Sequence, residues 1–181
     1  MSGVESDDLP DVVKGWVNQA MFAVEYPLTI ERGLWLNFCV AVQDGNPLYW
    51  DEAAAQAFTG GAIAPPAMLP SWGVEHHWNP AAPGPVQLPM ALHFLLKEAF
   101  GLPHGVVSEV ELILHTPLRA GDSVRTEQVL REVGPEKSTR LGVGRKWTIE
   151  VVYSRQDGQL AGIQRLRFFS YRSANERPEA K

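Results

Sequence analysis

Cysteine is nearly missing: Cys39 is the only one in 181 residues, so no internal disulfide forms, and a reducing compartment, the cytoplasm by default, suits the chain better than secretion. No stretch approaches the ~18 uninterrupted apolar residues of a membrane-spanning helix. The opening Met1 to Asp11 is polar and acidic and lacks the basic start and apolar run of a secretory leader. A surplus of positive charge is lacking too. Sixteen Lys and Arg stand against 21 Asp and Glu, a net charge of −5 mixed along the chain, which sets aside nucleic acid and anionic membrane as partners. Internal repeats are absent, and the length suits one domain better than two. We place that domain at residues 21–172, after a tail and short helix over 1–20 and before a polar tail over 173–181.

What is present divides into a helical first part and a strand-rich last part, the pattern of an α+β fold with helices on one face of an antiparallel sheet. Leu9 to Asn18 reads as a short helix and Met21 to Leu28 as an extended edge segment, with Pro27 marking the edge. Thr29 is the expected cap of a helix whose apolar positions are Leu34, Phe38 and Val42, with Trp35 and Cys39 beside them. That helix stops at the turn Gln43-Asp44-Gly45-Asn46-Pro47, and a second follows from Asp51 to Phe58. A proline-rich insertion, Asn79 to Pro85, precedes an amphipathic helix over Met90 to Phe100 that carries Leu92, Leu95, Leu96 and Ala99 on one side. Four extended runs follow: Val106 to Leu114, Ser123 to Val133, Arg145 to Arg155 and Gln159 to Tyr171. Asp157-Gly158 supplies a tight hairpin turn between the last two, and Arg119-Ala120-Gly121-Asp122 reads as the hairpin turn between the first two.

Three segments, Asp44-Gly45-Asn46-Pro47-Leu48-Tyr49-Trp50-Asp51, Gly61 to Leu69, and Pro117-Leu118-Arg119-Ala120-Gly121-Asp122, occur in the order found in the MaoC-like hydratases and dehydratases. Tyr153 to Leu160 resembles the late hairpin of that family, so the likeness runs from about Val24 to Arg172. The resemblance implies a single hot-dog domain, a curved antiparallel sheet wrapped around a central helix, that handles an acyl-CoA thioester without a further cofactor. It is nearest to the degenerate amino-terminal type of MaoC domain, whose members often pair with a second hot-dog protein.

In catalytic members of the family an aspartate and a histidine five residues on jointly hold the water that adds to an enoyl thioester, while backbone N–H groups face the thioester oxygen. The resemblance puts Asp44 at the aspartate position and Tyr49 where histidine is expected. A phenol with an ordinary pKa near ~10 is protonated at pH 7 and makes a poor base. Asp44 is either a turn or helix-cap aspartate or a residue with a vestigial or shared catalytic role, paired in a self-sufficient enzyme with Tyr49 or a displaced histidine. Tyr49 reads first as a structural residue, its hydroxyl bonded to a neighbour. Asn46 holds the turn, as the resemblance implies beside the active aspartate, and is counted with the substrate-binding candidates. At the start of the central helix Pro66 has no N–H to offer the thioester oxygen, so Ala67 is the substitute donor. Met68 and Trp72 are core residues in one reading and line an acyl tunnel in the other.

Other candidates carry less. His76-His77 invites a metal, but adjacent side chains diverge and no third ligand stands at the right spacing, so we expect no metal. His93, His104 and His115 read as surface or core histidines, and each is a candidate partner to Asp44. Ser71 and Ser108 have no histidine–acid arrangement beside them. Arg140, Arg145 and Lys146 either meet CoA phosphates or decorate strand ends, the second being the plainer reading. The sequence therefore points to an accessory subunit of a heteromeric enoyl-CoA hydratase or dehydratase, acting on a bulky acyl group and joined to a second MaoC-like subunit. The alternatives are a self-sufficient homodimer with an unusual acid–base pair and a non-catalytic acyl-CoA-binding protein. A thioesterase is a further option on the same fold.

Overall fold

The computed structural model describes residues 8–26, 28–74 and 90–173. Pro27, His76, His77 and the proline-rich insertion lie outside the described residues. Five α-helices, α1 (Asp11–Trp16), α2 (Arg32–Val42), α3 (Pro47–Trp50), α4 (Glu52–Thr59) and α5 (Ala91–Phe100), accompany a 3-10 segment at Pro66–Gly73. The strands are β1 (Ala20–Glu25), β2 (His104–Leu114), β3 (Val124–Val133), β4 (Lys137–Thr139), β5 (Gly142–Arg155) and β6 (Leu160–Arg172). They form one antiparallel sheet in the order β1-β3-β5-β6-β2, with the short β4 paired to β5.

The inner face of this sheet makes the core. Trp147, Ile149 and Val151 alternate along β5, Leu166 and Phe168 along β6, and Leu69, Trp72, Leu92 and Leu96 descend on them from the 3-10 segment and α5. Each such side chain stabilises the fold by about 1.5–3 kcal/mol through removal of apolar surface from water. The central segment is therefore a hot-dog filling in two pieces. Two prolines explain the tighter winding of the first: Pro66 begins it and Pro70 sits inside it, where an α-helical hydrogen bond would be lost.

Three expectations need correction. The helix α2 is capped at Glu31 without a side-chain bond, while the Thr29 hydroxyl donates to the Glu31 carboxylate at 3.2 Å. Its buried face carries Trp35 and Cys39, whereas Leu34 and Val42 are exposed, because burying the indole removes more apolar area than burying either aliphatic chain. The Arg119–Asp122 turn joins no hairpin: β2 pairs with β6 at one end of the sheet, while β3 lies between β1 and β5. The Asp157-Gly158 turn is a true hairpin, with Gly158 at φ 81° and its N–H donating to the Arg155 carbonyl at 2.9 Å.

Across the outer face a ladder of charges ties four strands together. Arg165 on β6 donates to Glu111 on β2 at 2.7 Å and to Glu150 on β5 at 2.9 Å, and Arg131 on β3 closes on Glu150 at 2.6 Å. Burial pushes the Glu150 carboxyl up, but hydrogen bonds from Arg131 and Arg165 outweigh it and hold the group below its ordinary value. Arg145 is no strand-end decoration: buried, it pairs with Asp8, donates to the Gly134 carbonyl at 3.3 Å and lies 5.2 Å from the Phe100 ring centre.

Candidate active site

The turn after α2 is built by side chains that bond to their own backbone. Gln43 takes the left-handed conformation that ends the helix, at φ 58°. The Asp44 N–H then donates to the Cys39 carbonyl at 2.8 Å. The Asp44 carboxylate accepts the Asn46 N–H at 3.0 Å, and its carbonyl accepts the Trp50 indole N–H at 2.8 Å. The Asn46 side chain accepts from Leu48 N–H at 3.1 Å and caps α3, with Pro47 at the first helical position. Asp51 repeats the device for α4, accepting from Ala53 and Ala54.

This arrangement turns Tyr49 inward, where it packs with Cys39 and Ile63 in a small apolar cluster apart from the main core. Burial and then the negative charge of Asp44 push the Tyr49 phenol above its ordinary value, while a hydrogen bond with the Asn46 side chain pulls the other way. The same two causes, burial first, raise the Cys39 thiol. Both groups are neutral at physiological pH, so beside Asp44 they offer protons and accept none. The structure thus gathers Asp44, Asn46, Tyr49 and Cys39. Sequence reasoning missed the thiol as a member of this group, because it reaches the cluster from α2 through tertiary packing.

A second wall comes from the run between α4 and the 3-10 segment. Arg119 clamps it: one guanidinium nitrogen donates to the Gly61 and Ala62 carbonyls at 2.8 and 3.2 Å, and another bonds the Thr59 carbonyl. Asp122 holds Arg119 in turn, accepting its backbone N–H at 2.8 Å and bonding Gln156 at 3.0 Å and Arg155 at 3.1 Å. The Ala64 N–H donates to Leu118 at 2.8 Å, which zips the second and third motif segments together. Pro66 and Ala67 lie exposed at the start of the 3-10 segment, and Met68 and Trp72 point into the main core. The Trp72 indole N–H is buried with no hydrogen-bond partner.

Against this second wall lies an apolar pocket of about 90 Å³, lined by residues that include Ile63, Pro66, Leu118 and Ala161, with His115 and Thr116 as its polar members. Ile63 is shared with the Tyr49 cluster, so the two features adjoin. His93 is remote in character, on the buried face of α5 with its Nδ1 accepting the Trp147 indole N–H at 3.2 Å. His104 stacks beside Tyr171 on the sheet. Among the described residues no group of three or more His, Cys, Asp or Glu side chains is placed to hold a metal ion.

A single curved antiparallel sheet around a helical filling, with the Asp-Gly-Asn-Pro turn between α2 and α3, defines a hot-dog protein of the MaoC-like type. The family model described as the FAS1-like dehydratase domain region matches residues 20–163, and the chain belongs to that family. It is 34% identical over 135 residues to a probable enoyl-CoA hydratase alpha subunit of Thermomonospora curvata, covering 73% of this chain and 42% of that protein. It is 33% identical over 115 residues to the 3-oxo-4,17-pregnadiene-20-carboxyl-CoA hydratase alpha subunit of Mycobacterium tuberculosis, covering 60% of this chain and 34% of that one. The chain thus spans less than half the length of either relative. Among solved structures, a chain of the ChsH1-ChsH2 complex of Mycobacterium tuberculosis superposes with a TM-score of 0.73 at 24% identity, over 91% of both chains. The MaoC-like dehydratase of Rhodospirillum rubrum follows at 0.58 and 18%, over 94% of this chain and 98% of that one. These two likenesses show the fold. No helix among the described residues is long and apolar enough to cross a membrane.

Proposed function

We propose that this chain is the accessory, catalytically degenerate subunit of a heteromeric enoyl-CoA hydratase or dehydratase, working in the cytoplasm on a bulky acyl-CoA. The observation that carries this reading is the buried phenol of Tyr49 beside Asp44: the position that the family resemblance gives to a histidine base holds a group kept protonated by burial and by the neighbouring carboxylate. Asp44 itself has its carboxylate and carbonyl bonded within the turn. A water held here would meet no second base beside Asp44, whose carboxylate already accepts the Asn46 N–H. A second MaoC-like subunit supplies the acid–base pair, and this chain supplies wall and support, with Asn46, Pro66 and Ala67 on the substrate side and Met68 and Trp72, part of the main core, behind them. Ala67 offers the first backbone N–H of the 3-10 segment, Pro66 having none.

The sheet favours such a partner. The edge strand β2 is 11 residues long, and Val107 and Val110, opposite the buried Phe168 and Leu166, are about half exposed. Among the described residues the apolar inner face therefore continues past the helices that cover it, out to the last strand of the sheet order. The names of the two curated relatives, both alpha subunits of hydratases, support the same reading.

The test follows the conjugated thioester absorbance of an enoyl-CoA during hydration, with this chain alone and co-expressed with a catalytic MaoC-like protein. Turnover only in the mixture is expected. Turnover at a normal enzymatic rate by the chain alone overturns the proposal and makes it a self-sufficient enzyme; acyl-CoA binding without turnover in either case makes it a binding protein.

A further inference from the structure

We propose that β2 selects its partner by charge: Glu109 and Glu111 bar a second copy of this chain and admit an edge strand that carries Lys or Arg on the outer face of the sheet and aliphatic side chains on the inner. This rests on the accessory-subunit reading above and names the chemistry of the partner. Residues 105–111 are exposed without interruption, on both faces of the sheet, and β2 is the last strand of the sheet order among the described residues. Pairing with β6 sets the two faces apart. Val107 and Val110 stand opposite Phe168 and Leu166 on the inner face, while Glu109 and Glu111 stand opposite Arg167 and Arg165 on the outer.

Along the outer face the signs alternate from strand to strand. Arg131 on β3, Glu150 on β5, Arg165 on β6 and Glu111 on β2 form one row, and Arg167 with Glu109 forms a shorter second one. Both rows reach the edge on a carboxylate. Each ion pair there uses one carboxylate oxygen, Oε2 of Glu111 and Oε1 of Glu109, and both side chains stay about half exposed. The next strand outward decides whether the alternation continues. In an antiparallel pair of two copies that puts Val110 opposite Val110 of the second copy, Glu109 falls opposite Glu111 of that copy and Glu111 opposite its Glu109. Like charges directly opposite one another destabilise a strand pair, and here the clash occurs twice. Lys or Arg at the same two positions extends both rows by an ion pair and leaves the aliphatic contact beneath undisturbed. The edge therefore works by exclusion as much as by attraction.

Sedimentation velocity on the full chain tests this with a copy made basic at the edge, Glu109→Lys together with Glu111→Lys. The wild type mixed with that variant forms a one-to-one dimer about tenfold more tightly than the wild type pairs with itself. Most of that advantage is lost between about 0.1 and about 1 M salt, as the screening length falls from about 10 to about 3 Å. Should the lysine variant fail to fold, Glu109→Gln with Glu111→Gln serves: without its carboxylates the edge self-associates about fivefold more tightly than in the wild type. A wild type that pairs with itself as tightly as with the lysine variant, a mixed dimer indifferent to salt, a glutamine variant no stickier than the wild type, or no association in any combination at millimolar chain overturns the charge rule. Each of these outcomes leaves the accessory-subunit reading standing, because turnover with a catalytic MaoC-like protein decides that reading separately.

Discussion

His93 shows what a single buried side chain imposes. It stacks on Phe168 at 4.1 Å between ring centres and accepts the Trp147 indole N–H at Nδ1, so its one proton sits on Nε2. Burial first, and the nearby Lys97 charge second, lower its pKa from 6.5 to about 4. A proton added to Nδ1 would face the indole N–H donor to donor. The unfolded chain takes up that proton at higher pH than the folded one, so stability is complete above about 6.5 and falls as pH drops toward 4, by roughly 2–3 kcal/mol. Denaturant titrations followed by Trp fluorescence should show that slope, and His93→Gln, which keeps an acceptor for Trp147 without a titrating ring, should flatten it. At the Asp44 turn the discriminating pair is Asp44→Asn and Asp44→Ala. Asparagine keeps an oxygen for the Asn46 N–H, so the melting temperature stays near wild type; alanine loses it at a cost of about 1 kcal/mol. If both variants melt alike, the turn does not depend on this side chain. Asp44 and Tyr49 were legible as a pair because they lie within one turn of chain. Cys39 and His115 were not, since each reaches its neighbours through contacts between elements distant in sequence.

At the scale of elements, Arg119 joins the β2–β3 connection to the run that enters the 3-10 segment. Its guanidinium serves three carbonyls that water reaches poorly, and Arg119→Met leaves them without those donors. The expected loss is about 2–3 kcal/mol, with faster amide exchange over residues 61–64 and none of that change in α5. Uniform exchange across the chain would show instead that the clamp acts on global stability alone. Strand positions were readable from alternation to within a few residues, and α5 from its apolar spacing and closing Gly101. The inward face of α2 was misjudged because Leu34, Phe38 and Val42 repeat at helical spacing as convincingly as Trp35 and Cys39, and only the packed sheet decides between the two faces. The Arg119–Asp122 turn was misread for a related reason: a turn composition states that the chain bends, not which strand it meets next. No alternation signal marks β4, which is three residues long.

The molecule as a whole is a half-finished surface. Its charge ladder runs from Arg131 to Glu111 and stops at β2, whose inner face carries valines that nothing among the described residues covers. Val110→Lys should leave the melting temperature of the isolated chain nearly unchanged, because the site is already in water, and weaken association with a catalytic partner at least tenfold by sedimentation or light scattering. Unaltered association would move the interface elsewhere. Sequence reading reached the fold class and the family at this scale because three short segments in fixed order carry the likeness. It did not reach the open edge, since exposure of Val107 and Val110 depends on where the helices end.

The turn at Asp44 bears on how relatives of this chain are recognised. An aspartate whose carboxylate shapes the backbone between α2 and α3 has work in the fold whether or not a reaction takes place beside it. A genome survey that collects working hydratases by this residue would gather idle ones in the same net, and the residue five places on is the one to sort them by.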